Sequence, residues 1–212
     1  YLTGFEQPKA IFMAVKEAGN YREVLFIDHP DEKKQRGEGI SYTKESVSAQ
    51  TGIEQVEYLE KFLSVIPLFG RKNLIENLYV DIANWEEGFH PNPAQQFAAK
   101  VQSCYPYIHI YNTFPQMSQM RQVKTSEEIA RHREACQITK EGVKHMLKNL
   151  KPGMRECQAE AYFDFVLKSH NAGHAFPTIA ASGPNACILH YVANDRKMQD
   201  GDMILFDLGA EW

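Results

Sequence analysis

The sequence predicts an α/β (α+β) chain in two parts, residues 1–120 and 121–212, and three observations carry that prediction. Short apolar runs alternate with amphipathic helical segments through the first part. A helix-start signal, Thr125-Ser126-Glu127-Glu128, then opens a second, helix-rich stretch. Finally, Met203-Ile204-Leu205-Phe206 reads as a buried strand entered through the turn Gln199-Asp200-Gly201-Asp202.

Composition narrows the class before any motif does. A chain of 212 residues can bury a sizeable core and hold one large or two small domains. Its 43% hydrophobic and 24% charged residues are ordinary for a globular protein. A net charge of -4 gives no electrostatic footprint for nucleic acid, so small molecules or peptides are the expected partners. No apolar run approaches the roughly 18 residues of a membrane helix, and no signal-peptide pattern opens the chain, so no membrane partner is expected. Cys104, Cys136, Cys157 and Cys187 have wide, unpatterned spacing, which fits neither a zinc knuckle nor a disulfide framework and points to reduced thiols in a cytoplasmic protein. Cys136 and Cys157 are expected on apolar helix faces as small hydrophobes. The opening at Tyr1 without a methionine, and the stop at Trp212 just past a buried strand, lead us to expect a fragment or the ordered part of a longer protein.

In the first part, Ala10 to Lys16 and Glu23 to Asp28 are apolar runs separated by Glu17-Ala18-Gly19-Asn20-Tyr21, the pattern of a hairpin. Pro30 to Thr51 is charged and turn-rich without periodicity, a surface crossing. From Ile53, residues Val56, Leu59, Phe62, Leu63 and Ile66 fall on one helical face. Asn77 to Asp81 predicts a strand, Pro93 to Cys104 a helix with Phe97 and Val101 inward, and Tyr107 to Tyr111 another strand. The histidines here, His29, His90 and His109, are scattered and form no catalytic constellation.

The boundary falls at Gln119 to Lys124. After it, Thr125 caps a helix and Glu128 reaches back, with Ile129, Cys136, Val143, Leu147 and Leu150 at helical spacing until Lys151-Pro152-Gly153. A second helix runs from Glu156 to His170, burying Cys157, Ala161, Phe165 and Leu167, and Asn171-Ala172-Gly173 closes it with a left-handed cap. His174, just beyond, is expected to be solvated rather than a ligand. The small, glycine-containing loop Ala180 to Ala186 lets backbone approach a ligand closely.

Two residues carry the candidate chemistry. Asp207 follows the apolar strand directly, and a carboxylate leaving water for an apolar interior costs several kcal/mol unless a cation or several donors meet it. A metal ion is one candidate partner; a strand-end aspartate that meets solvent or caps a turn is the other. His190 follows Ile188-Leu189, where a lone histidine is more often a hydrogen-bonded core or rim residue than a functional one.

The order and spacing of Ser182-Gly183-Pro184-Asn185-Ala186, Ile188-Leu189-His190-Tyr191, Asp200-Gly201-Asp202 and Asp207-Leu208-Gly209-Ala210-Glu211-Trp212 resemble the S-G-x-N, L-H-Y, G-D and D-x-G-x-E-aromatic elements of the Xaa-Pro aminopeptidase (aminopeptidase P) family. Arg121 to Ala135 resembles that family's R-x-x-K-[ST]-x-E-E-I-A-x-x-R-x-A element, whose charges capping and a solvated face explain. Tyr1-Leu2-Thr3-Gly4-Phe5 is similar to its amino-terminal Y-x-T-G-F. The resemblance implies an N-terminal creatinase-type α/β domain, 1–120, followed by the first half of a pita-bread metallopeptidase domain, 121–212. It also implies that Asp207 is the first ligand of a centre of two divalent metal ions, most often Mn2+, whose other ligands lie beyond residue 212. His190 falls on a catalytic histidine that contacts substrate rather than metal. The implied activity is release of the amino-terminal residue from peptides with proline second, in a homo-oligomer, with this stretch alone inactive. Prolidase action on Xaa-Pro dipeptides and a non-catalytic, peptidase-like binding module are the alternatives.

Overall fold

The structure, a computed structural model, describes residues 2–7, 9–17, 19–31, 36–37, 42–71, 75–83 and 90–212. The chain packs as two units, Tyr1–Ser118 and Gln119–Trp212. It mixes helices and strands, as the α/β expectation requires.

In the first unit, β1 (Ile11–Glu17) and β2 (Asn20–Ile27) form the expected antiparallel hairpin, in register from Ile11 opposite Phe26 to Glu17 opposite Asn20. Gly19 turns the chain at φ +85°, a conformation glycine adopts without a Cβ penalty. β3 (Val56–Tyr58) adds to β2 in parallel. Strand β2 ends in Val24-Leu25-Phe26-Ile27, all buried, because both faces of the sheet are covered. Leu25 and Ile27 pack with Val47, Ile53 and Val56, whereas Val24 and Phe26 pack with Phe62 on the other side.

Two expectations change here. Val56 belongs to strand β3 rather than to a helical face, and the helix α2 begins only at Leu59 (Leu59–Arg71), with Leu63 exposed. Pairing with the apolar edge of β2 outweighs the helical spacing of these residues. The Pro30–Thr51 crossing also contains a helix, α1 (Lys44–Thr51), begun by a reciprocal cap between Thr43 and Ser46 and ended by Gly52 at φ +75°. Residues 32–35 and 38–41 of that stretch, Tyr1, and the side chain of Ile66 lie outside what the structure describes. Helix α3 (Pro93–Cys104) then links β4 (Asn77–Val80) to its parallel neighbour β5 (His109–Asn112), burying Ala98 and Val101.

Helix α4 (Phe114–Gln122) leads into the second unit, where two long helices, α5 (Ser126–Asn149) and α6 (Glu156–Ser169), pack on two short antiparallel pairs. β6 (Gly173–His174) pairs with β9 (Ala210–Glu211), and β7 (Ile179–Ser182) with β8 (Ile204–Asp207). The Thr125–Glu128 capping box forms as the sequence reads, and Asn171, at φ +55°, supplies the left-handed cap.

The buried faces differ from the expected ones. Helix α5 buries Ile138, Gly142 and Met146, leaving Ile129, Leu147 and Cys136 exposed. Helix α6 buries Glu156, Ala159, Phe163, Val166 and Leu167, while Cys157 and Phe165 are exposed, so neither cysteine is a core hydrophobe. The reason is the close approach at Gly142: a Cβ there would lie 2.5 Å from the Phe163 ring. Helix faces meet where a missing side chain admits a large one, and that seam differs from the more apolar stripe.

Candidate active-site loop and strand

The second unit's polar centre begins at Glu156, in the first turn of α6 and completely buried. Its Oε1 accepts from the Ser182 backbone N–H at 2.6 Å and the Ser182 hydroxyl at 2.7 Å, with the Asn185 amide at 3.4 Å. Its Oε2 accepts from the Tyr191 hydroxyl at 2.8 Å and the Arg196 N–H at 2.9 Å. Burial pushes this carboxyl up, yet the donors from Ser182, Tyr191 and Arg196 outweigh burial and hold it below the usual glutamate range. It is therefore an ionised carboxylate whose neighbours are all donors.

The rest of the segment is tied to the same frame. The Arg196 guanidinium donates to the Ser182 hydroxyl at 2.7 Å and pairs with Asp202 at 2.5 Å, and its hydrogen bond holds the Asp202 carboxyl low. Gly183, at φ +52°, has no room for a side chain, since a Cβ would sit 2.8 Å from Asp202 Oδ1 and 3.1 Å from the Arg196 guanidinium. Asn194, buried at φ +47°, donates to Glu160 and to the Thr178 carbonyl and accepts from the Ala180 N–H. A residue with a short amide tolerates that left-handed backbone, and its side chain replaces the strand partners the loop lacks.

His190 lies in this segment, after the 3₁₀ turn Gly183–Cys187, and is exposed. Its apolar neighbours are exposed too, Ile188 at 50% and Leu189 at 83%. Asp207 ends β8, opposite Ile179 of β7. The buried-strand expectation needs correcting here: β8 alternates, with Ile204 and Phe206 turned to the core beside Met146, Ala159 and Met198, and with Met203, Leu205 and Asp207 on the exposed side. The two-residue period of a strand puts Asp207 on the face opposite the core. Its carboxylate therefore needs no interior partner in this stretch, and no hydrogen bond or ion pair engages it among the described residues. His174 is not free: its ring meets Thr178 at 3.1 Å and Asp164 at 3.1 Å. Sequence reasoning missed Glu156, because a glutamate in a helix's first turn is ordinarily a solvated partner of the helix dipole. Only its donors, 26 to 40 residues away, reveal it.

The aminopeptidase P N-terminal domain matches residues 1–78, and metallopeptidase family M24 matches residues 130–212, so the two together span well over half of the chain. The carboxy-terminal part of the chain is thus similar to metallopeptidase family M24. The chain is 29% identical over its whole length to the Xaa-Pro aminopeptidase of Haemophilus influenzae, of which it covers 47%, and 24% identical to the human Xaa-Pro aminopeptidase 3, of which it covers 42%. It superimposes on a structure assigned as aminopeptidase P from Bacillus anthracis with a TM-score of 0.91 at 38% identity, covering 99% of this chain and 50% of that one. A zinc-substituted aminopeptidase P from E. coli, in complex with product, matches with a TM-score of 0.80 at 25% identity, covering 99% of this chain and 48% of that one. The chain thus has the fold of these proteins, of the pita-bread class, over the half of their length that it spans.

Among the described residues, no group of three His, Cys, Asp or Glu side chains could hold an ion. Asp207, exposed and unengaged among the described residues, offers a carboxylate of the kind that ligates a divalent ion, but by itself it does not make a site.

Proposed function

We propose that the protein carrying this chain is a metal-dependent aminopeptidase that releases the amino-terminal residue from peptides with proline in second position. The observation that carries the reading is the pairing of the aminopeptidase P amino-terminal domain with an M24 domain in one chain, which aligns end to end with Xaa-Pro aminopeptidases from a bacterium and from human. In this reading residues 1–120 form the creatinase-like domain and residues 121–212 the first part of the catalytic one. Asp207 is a metal ligand and His190 the catalytic histidine. Two divalent ions, Mn2+ by preference, would supply a water of lowered pKa. His190 donates a hydrogen bond to the carbonyl of the bond preceding proline and holds that carbonyl in place as charge develops on its oxygen. Proline has no N–H and a fixed φ, so its recognition rests on shape and apolar contact. The reading includes a homo-oligomer and a cytoplasmic location, the latter supported by four free cysteines. This stretch alone, with one ligand, is expected to be inactive.

The test is hydrolysis of an Xaa-Pro-Xaa tripeptide and an Xaa-Pro dipeptide by the whole protein, with and without added manganese. Manganese-dependent release of the first residue of the tripeptide is the expected result, and preference for the dipeptide would make the enzyme a prolidase. No cleavage with any divalent metal would leave a binding module. Asp207→Asn should lose metal and turnover together. His190→Ala should keep the metal and lose about a hundredfold in kcat.

A further inference from the structure

We infer that Glu156 is the positioning residue of the His190 loop: its buried carboxylate clasps both ends of residues 182–196 and, through Tyr191, fixes the backbone that presents the histidine. This rests on the role proposed for His190.

The two oxygens divide the loop between them. Oε1 takes Ser182 and Asn185, where the loop leaves β7, and Oε2 takes Tyr191 and Arg196, where it returns. The backbone seals the same junction, with the Glu156 N–H donating to the Arg196 carbonyl at 3.0 Å and the Cys157 N–H to the Asn194 carbonyl at 2.7 Å. Other bonds reinforce the two ends, among them those of Asn194 with Thr178, Ala180 and Glu160 and that from the Arg155 guanidinium to the Asp195 carbonyl, but they leave the stretch around His190 itself thinly held. Beyond the 3₁₀ turn it contains no helix or strand, and the side chains just before His190 are exposed rather than packed. No hydrogen bond to the His190 ring is present among the described residues, so the ring inherits its place from the chain on either side. The nearest fixed point is the adjacent Tyr191, half buried, whose hydroxyl lies 2.8 Å from Glu156 Oε2 and 3.1 Å from Asp195 Oδ1.

An apolar residue at position 156 would fill the same volume without gathering donors. A buried carboxylate instead obliges each nearby donor to point at it, because both partners lose heavily if the bond is left unmade. That obligation sets the loop in one conformation in advance of substrate. A displaced catalytic group loses rate steeply, about a hundredfold for a misplacement of one ångström.

The experiment uses the whole metal-loaded protein and two variants. Tyr191→Phe removes one donor and leaves Glu156 its bonds from Ser182 and Arg196. Glu156→Gln, the harsher change, turns an amide NH₂ toward one of the donor groups. Hydrogen exchange read by mass spectrometry should rise about tenfold in residues 183–196 of Tyr191→Phe and stay unchanged in the α5–α6 helices. The kcat for an Xaa-Pro-Xaa tripeptide should fall about tenfold to a hundredfold, with KM and metal content held. In a His190→Ala background, Tyr191→Phe should cost nothing further, because the histidine it positions is gone. Unchanged exchange in the loop, or an equal rate loss in both backgrounds, would overturn the inference. If His190→Ala alone kept full rate, the histidine's proposed role would fall and the catalytic part of the inference with it, while loop exchange would still decide whether the carboxylate holds the loop.

Discussion

The two units of this chain are held together by different means. In Tyr1–Ser118 the central strand β2 buries four apolar residues in a row against clusters on both faces, and its charged groups stay at the periphery, as in the Lys44–Glu57–Lys61 set. In Gln119–Trp212 the apolar clusters lie between α5, α6 and the short strands, and a wholly buried glutamate organises the irregular segment beside them. Apolar burial is non-directional and suits a scaffold whose inside and outside are all that must be specified. Hydrogen bonds to a buried carboxylate are directional and suit a segment that must take one shape without regular secondary structure.

Two substitutions of comparable size would sharpen that contrast. Ile27→Ala removes a completely buried side chain from the first unit and should cost about 2–5 kcal/mol by denaturant unfolding. Glu156→Ala strands several buried donors and should cost about 3 kcal/mol or more at neutral pH. Their pH dependence should separate them. The folded Glu156 carboxyl titrates below its ordinary value, so its stabilisation is fully present above the unfolded pKa of about 4.3 and is lost as pH falls through the lower folded value. The Glu156→Ala penalty should therefore shrink below about pH 4, whereas the Ile27→Ala penalty should keep its size. Equal pH profiles would mean that Glu156 matters for its volume rather than its charge.

Gly142→Ala should have the next largest effect. The added methyl would lie 2.5 and 2.6 Å from carbons of the Phe163 ring, which is completely buried and has nowhere to swing. Overpacking of that kind costs about 1–3 kcal/mol, against the few tenths to one that alanine gains over glycine in an exposed helix. Thermal unfolding at a lower temperature than wild type is the expected outcome. A rise would mean that α5 and α6 can move apart without loss.

How much of this was readable beforehand depends on the range of the interaction. The β1–β2 hairpin and the Thr125 capping box are local, set by residues within one turn or one strand pair, and the sequence announces both. The faces of α5 and α6 were not readable, since each helix carries apolar residues on more than one side and the deciding feature is the absence of a side chain at Gly142. Asp207 was legible by type and position but not by burial, because the apolar run Met203-Ile204-Leu205-Phe206 looks the same whether one face of its strand or two are covered. Glu156 was invisible as an organising residue for a related reason: its donors lie 26 to 40 residues further along the chain, and nothing in the first turn of a helix distinguishes a solvated glutamate from a clasping one.

The smallest expected effect is at the periphery of the first unit. Lys44 pairs with Glu57, which also takes Lys61 at 2.7 Å, and the ammonium lies 4.6 Å from the centre of the Tyr58 ring. The hydrogen bonds from Lys44 and then Lys61 hold the Glu57 carboxyl below its usual range, so this contact, like that at Glu156, fades as the solution is acidified. The resemblance ends there, because the pair is only partly covered and stays in reach of water and salt, and Lys61 stays with Glu57 when Lys44 is removed. Lys44→Met should therefore leave the unfolding midpoint within the scatter of the measurement at physiological ionic strength, with any loss confined to low salt. A large, salt-independent loss would show that the first unit also depends on a desolvated ion pair, and the division between an apolar scaffold and a polar-clasped loop would have to be redrawn.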